Sequence, residues 1–81
     1  MSNTPHELSE EFPAQADQIK SLRTTNAHFA KLADTYHEVN RAVHRAETDV
    51  EPTSDAHMAD LRKQRLHLKD QIAAALSAAN N

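Results

Sequence analysis

The sequence predicts an all-α fold in which two helices form an antiparallel, coiled-coil-like hairpin, and three observations support that prediction. The 81 residues include no glycine and no cysteine, which removes the residues that tight β-hairpin turns, disulfides and zinc knuckles require. Alanine is abundant, and it is the residue that loses least free energy on entering a helix. Larger apolar residues recur at spacings of three and four along two stretches of the chain.

The N-terminal segment predicts a short helix over about residues 5 to 11. Thr4–Glu7 has the order of a capping box, in which a threonine hydroxyl and a glutamate carboxylate satisfy the first free backbone N–H groups. Pro13 then ends the helix, because a proline pushes the preceding residue toward extended backbone. Residues 1 to 12 are therefore expected to form an N-terminal arm.

The central segment predicts one long amphipathic helix over about residues 14 to 48. It contains neither proline nor glycine after residue 13. Its apolar stripe follows the helical period through Leu22, Phe29, Leu32, Tyr36, Val39 and Val43.

Pro52 marks the end of the long helix, and residues 49 to 53 are expected to form the interhelical loop. Thr53 or Ser54 is suited to cap a second helix over about residues 54 to 78. Such a short connection is typical of antiparallel neighbours, so we expect residues 1 to 81 to form a single helical-hairpin domain.

The pairing of residues across the hairpin follows if residue 48, at the end of the first long helix, faces residue 55, at the start of the second. Arg65 is then expected to pair with the Glu38 carboxylate. The apolar pairs expected in this register are Leu61 with Val43, Leu68 with Tyr36, Ile72 with Leu32, and Leu76 with Phe29.

Two features of the apolar pattern predict self-association. The long helix exceeds the second one by about ten residues, so Ile19 lies on an overhang that either the N-terminal helix or another subunit must bury. Leu66 lies about 120° around the second helix from its main apolar stripe, with Ala59 and Ala73 one heptad to either side. A homo-oligomer is therefore expected, although a single exposed leucine is also common on protein surfaces.

Charged residues alternate in acidic and basic blocks within a formal net charge of −3. The most basic block contains Arg62, Lys63, Arg65 and Lys69, which could contact the phosphates of a nucleic acid. A sequence pI near 6.0 instead favours a solvated helix face that pairs with acidic groups. The candidate interaction surface comprises Arg62, Lys63, Arg65, Leu66, Lys69 and Ile19.

The six histidines do not form a convincing metal site. Asp34 and His37, and then His44 and Glu47, place a carboxylate and an imidazole one turn apart. Both pairs lie on one helix, however, and Arg41 brings a positive charge between them. No residues have the spacing of a catalytic triad, and a slim hairpin offers no cleft for a substrate. We therefore expect a protein that is not an enzyme and has no metal or cofactor.

Several short motifs together resemble the YdcH-like family of short bacterial proteins. They are His6-Glu7-Leu8, Glu11-Phe12-Pro13, His28-Phe29-Ala30-Lys31-Leu32, Tyr36, His44-Arg45, Glu51-Pro52 and the stretch from Gln64 to Ile72. The resemblance implies a small, coiled-coil-like helical protein of bacterial cytoplasmic origin, with no catalytic or ligand-binding residues to transfer. It also singles out residues 65 to 70 for attention.

The sequence shows neither a leader segment nor an apolar run approaching the roughly 20 residues that span a bilayer, so we expect a cytoplasmic protein without a membrane partner. The leading hypothesis is a non-enzymatic, self-associating helical module that binds an unknown protein partner. Its basic stretch 62–69 and acidic N-terminal arm would select that partner. The alternative is a weak, non-specific nucleic-acid-binding protein that acts through the same basic stretch.

Overall fold

The computed structural model describes residues 6–48 and 54–79, and within these ranges every regular element is a helix. The prediction of an all-α fold is confirmed. Four α-helices occur, with a short 3₁₀ helix between the first two. They are α1 (Leu8–Glu11), the 3₁₀ helix (Pro13–Gln15), α2 (Ala16–Thr25), α3 (Ala27–Glu47) and α4 (Asp55–Ala79).

The hairpin of α3 and α4 is the principal packing unit. Ser54 caps α4 by accepting a 3.1 Å hydrogen bond from the backbone N–H of His57, which confirms one of the two predicted caps and the start of the second helix. The loop predicted at residues 49 to 53 lies outside the described residues.

The core-facing stripe of α3 is rotated relative to the one that the sequence predicted. Ala33 and Asn40 are buried, whereas Leu32 and Val39 are only half-buried. The reason is that α3 packs against α2 as well as α4, so its most enclosed face lies between the two neighbours. The residues of α3 with the least exposure are Phe29, Ala33, Tyr36, Asn40 and Val43, which pack with Ile72 and Leu76 of α4 into the core or extend its buried face.

The prediction of one continuous helix from 14 to 48 is wrong, because the helix breaks at Asn26. The backbone of Asn26 is extended (φ −133°, ψ 105°), and its side-chain oxygen accepts a 3.1 Å hydrogen bond from the N–H of Phe29. Asn26 is thus the C-cap of α2 and the N-cap of α3. Asparagine is among the best N-capping residues, and this local bond competes with the helical backbone pattern.

Two threonines before the break add to this local competition. The hydroxyls of Thr24 and Thr25 donate to the carbonyl of Ser21 at 2.8 and 3.0 Å. Such back-bonding weakens the helix interior slightly and often bends it. The helix therefore ends where three consecutive residues have polar alternatives to the helical pattern.

The break lets α2 fold back onto α3, which resolves the predicted overhang. Ile19 is 7% exposed and belongs to the same core cluster as Phe29 and Leu76. The side-chain amide of Gln18 donates to the carbonyl of Leu76 across a 3.0 Å gap, which ties α2 to the end of α4. Of the two predicted ways to bury Ile19, the chain uses its own N-terminal part.

The N-terminal helix is shorter than the predicted span of 5 to 11. It begins at Leu8, because His6 has a positive φ of 63° that lies outside the helical region and Glu7 is extended. Glu7 is the N-cap but makes no side-chain capping hydrogen bond. The proposed capping threonine and the following proline lie outside the described residues. Leu8 is buried and Phe12 half-buried against the core.

We expect Asn26→Ala to lower the free energy of unfolding by about 1 kcal/mol, because the Phe29 N–H loses its side-chain acceptor. Asn26→Asp is the matched control, since its carboxylate keeps an acceptor at the same place. Urea unfolding followed by circular dichroism measures both. Equal stability of the alanine and aspartate variants would show that this cap does not hold the break.

Candidate interaction site

The structure separates the six predicted interaction residues into two groups. Ile19 is buried in the core and therefore belongs to no exposed surface. The other five lie within about two turns of α4. They are Arg62, Lys63, Arg65, Leu66 and Lys69.

Leu66 is 59% exposed, and within the described part of the chain it is the one large apolar residue that is exposed. Ala59 and Ala73 lie seven residues to either side of it, and both are at least partly exposed. These three residues, which we call the Leu66 strip, form a narrow apolar row along α4 that is exposed at Ala59 and Leu66 and half-buried at Ala73.

Two of the basic side chains beside the strip form ion pairs within the chain. Arg62 donates from Nη2 to Glu47 Oε2 at 3.0 Å, at the C-terminal end of α3. Lys69 donates from Nζ to Glu11 Oε1 at 3.0 Å, in α1. Each pair is partly exposed, so it contributes at most about 1 kcal/mol of stability. Lys63 is exposed and points its charge to solvent.

Arg65 does not pair with Glu38, and that prediction is wrong. Its Nη1 donates instead to Oδ1 of Asn40 at 3.1 Å. Asn40 is 1% exposed, because it lies in the buried stripe of α3, whereas Glu38 lies on the exposed flank. Arg65 is half-buried, so its positive charge lies between α3 and α4 next to a neutral amide.

A cavity of about 170 Å³ lies between the N-terminal arm and α4, where these basic groups converge. Its wall combines three cationic side chains, one carboxylate and the apolar edge of the Leu66 strip. The lining residues are His6, Glu11, Tyr36, Arg62, Arg65, Leu66 and Lys69.

Polar contacts hold the N-terminal arm over this region. The Tyr36 hydroxyl donates to the backbone carbonyl of His6 at 2.6 Å. His37 Nδ1 lies 2.7 Å from Glu7 Oε2, and the Lys69–Glu11 ion pair fixes the far side of the arm. The hydrogen bond from Lys69 lowers the pKa of the Glu11 carboxyl below its ordinary value, against the opposing effect of burial.

Tyr36 is the central residue of these contacts, and its environment disfavours the charged phenolate. Burial raises the pKa of Tyr36 to about 12, and the Glu11 carboxylate adds to the shift while Arg65 opposes it. The sequence suggested only a core role for this residue. Its hydroxyl contact could not have been found from periodicity, because it depends on how the arm crosses α3.

A larger concave region of about 820 Å³ lies beside the break at Asn26. Arg23 and Asp34 line it and bond each other at 2.6 Å, so their charges are matched internally. Most of its lining residues are exposed, and it encloses no buried catalytic group.

Across residues 6–48 and 54–79, no group of three or more His, Cys, Asp or Glu side chains is arranged to bind a metal ion. Over the same ranges, none of the helices combines the length and the apolarity that crossing a membrane requires.

The single tyrosine of the chain permits a direct test of the arm contact. Because burial raises the pKa of Tyr36 to about 12, the absorbance change of phenolate formation should have its midpoint near that value in the folded protein. In urea it should return to about 10. Burial of the protonated Tyr36 side chain therefore contributes stability that is fully present below pH 10 and is lost as the pH rises through about 12. A midpoint near 10 in the folded protein contradicts the described position of the arm.

Comparison with known protein families finds a match, and it covers the α3–α4 hairpin. A family model described as "Protein of unknown function (DUF465)" matches residues 29–76, which is more than half of the chain. The match runs from the first turn of α3 to Leu76 and thus covers the hairpin, including the Leu66 strip. No curated protein and no solved structure matches the chain. YdcH-like proteins belong to this same family, so the resemblance seen in the sequence is confirmed, and the chain belongs to the DUF465 family of short proteins of unknown function.

Proposed function

We propose that the chain is a non-enzymatic protein-interaction module that self-associates through the Leu66 strip of α4. The observation that carries the proposal is the 59% exposure of Leu66, in a chain whose other large apolar side chains are buried or half-buried wherever the structure describes them. A leucine exposed to this extent gains free energy when a second apolar surface covers it.

The strip is suited to a symmetric contact between two copies of α4. In an antiparallel pair with two-fold symmetry, the Leu66 side chains of the two copies meet at the centre. Ala59 of one copy then lies opposite Ala73 of the other. Alanine at both flanking positions lets the two helix axes approach closely, near the lower end of the usual 8 to 10 Å separation.

Charges beside the strip fit the same arrangement. Lys63 and Asp70 lie on one edge of the strip, three residues before and four residues after Leu66. Both are exposed, and the two-fold axis brings Lys63 of one copy to Asp70 of the other. This gives two opposite-charge contacts per dimer, which favour the antiparallel register.

The remaining basic side chains at the strip oppose self-association less than their number suggests. Arg62 and Lys69 would approach each other across the interface, but each already has a carboxylate within 3.0 Å, from Glu47 and Glu11. The nucleic-acid alternative is less favoured because the chain has a formal net charge of −3 and a pI near 6.0, whereas nucleic-acid-binding domains are usually strongly basic.

The proposal is tested by measuring the molar mass of the protein by light scattering as it elutes from a size-exclusion column. The wild-type mass should be about twice 9.0 kDa at high micromolar concentration. Leu66→Glu should reduce the mass to that of one chain, because it places a charge on the two-fold axis. Gln71→Glu is the matched control: it adds the same charge at an exposed position of α4 about 140° from Leu66, and should leave the mass unchanged.

A charge reversal tests the register. Lys63→Asp alone should weaken the dimer, and the double variant Lys63→Asp with Asp70→Lys should restore it. The proposal would be wrong if the wild type had the mass of one chain at every concentration up to about 1 mM. Any dimer that escaped detection over that range would be too weak to be specific. Binding of the wild type to duplex DNA with a steep salt dependence would favour the nucleic-acid alternative.

A further inference from the structure

We propose that the cavity between the N-terminal arm and α4 binds the phosphate group of a phosphate monoester through Arg65, Lys69 and Arg62. The site does not depend on self-association, since every cavity residue named for it belongs to one copy.

The guanidinium of Arg65 is the first reason. It is half-buried, and within the described part of the chain its hydrogen bond goes to the neutral side-chain amide of Asn40. A guanidinium has five N–H donors, and only one of them is used in this bond. Its positive charge is thus partly buried beside a neutral amide, and an anion in the adjoining cavity would offset the cost of desolvating it.

The charge balance of the cavity wall indicates which anion fits. Three cationic side chains and one carboxylate, that of Glu11, line the cavity. Arg62 also pairs with Glu47, which lies outside the cavity, so these five side chains together carry one excess positive charge and favour an anion. Phosphate presents three acceptor oxygens to the converging donors, whereas a carboxylate presents two.

The size of the cavity leads to the same class of ligand. About 170 Å³ lies below the roughly 300 to 1,000 Å³ typical of pockets that enclose whole small molecules. It exceeds the roughly 30 Å³ per molecule of liquid water by several-fold, which leaves room for a tetrahedral oxyanion. The cavity is therefore suited to a terminal phosphate group whose remaining part extends into solvent.

Lys69 and Arg62 can join Arg65 without leaving their present partners. Lys69 uses one of its three N–H donors on Glu11, and Arg62 uses Nη2 on Glu47. Both side chains are partly exposed, at 36% and 53%, so small rotations bring their free donors toward the cavity at little energetic cost. Arg65, Lys69 and Arg62 recur at spacings of three and four, which places all three on one side of α4.

The test is a titration of the ¹⁵N-labelled full chain with two probes, inorganic phosphate and a short peptide that carries one phosphoserine. The expected result is a saturable shift of the amide signals of residues lining the cavity, including Tyr36, Leu66 and Lys69. The same peptide without its phosphate should produce no saturable shift. Saturation by inorganic phosphate alone would identify a small phosphate compound as the source, and saturation by the phosphopeptide alone would identify a modified protein.

Arg65→Gln should weaken phosphate binding by about tenfold or more, because charge-assisted hydrogen bonds are the strong ones. Arg41→Gln is the matched control: it removes the same charge from an exposed position outside the cavity and should change affinity less than about twofold. Equal weakening by both variants would overturn the site in favour of a general charge effect. Should Arg65→Gln fail to fold, the wild-type shifts decide alone, and shifts absent or scattered over the surface would also overturn it.

Discussion

The structure depends on burying a small number of large apolar side chains in one place, and the break at Asn26 makes that possible. A straight helix would carry Ile19 beyond the end of α4 into solvent. With the break, Ile19 enters the cluster that contains Phe29, Ile72 and Leu76. The local polar bonds of Asn26 therefore control how much apolar surface a single chain can hide.

The folded-back α2 and the N-terminal arm also determine what the surface of α4 offers. The arm brings Glu11 to Lys69 and the backbone of His6 to Tyr36, which closes one side of the basic cavity. The opposite side stays open at Leu66. One helix face thus presents an apolar strip suited to a second copy beside a cationic cavity suited to a phosphate group. The two proposals share this face but rest on different residues, Leu66 and Arg65.

The sequence predicted the features that depend on hydrophobic period and on strong stop signals. The all-α class, the two helices of the hairpin and the cap at Ser54 follow from such local signals. The break at Asn26 was missed because the apolar period continues across it, and only side-chain hydrogen bonding distinguishes it. The partner of Arg65 was missed because a second neighbour, α2, rotates the buried face of α3 and places Asn40 inside. The contacts of the N-terminal arm with Tyr36 and Lys69 depend on how the arm crosses α3 and α4, which the hydrophobic period does not predict.

A nuclear Overhauser experiment can show directly whether α2 folds back against the end of α4. The side-chain amide protons of Gln18 should show a cross-peak to protons of Leu76 or Ser77, because that amide donates to the Leu76 carbonyl at 3.0 Å. The helical series of contacts between residues three apart should also be interrupted at Asn26. An unbroken helical series through Asn26, with no cross-peak between Gln18 and the end of α4, would instead show that α2 and α3 form one continuous helix.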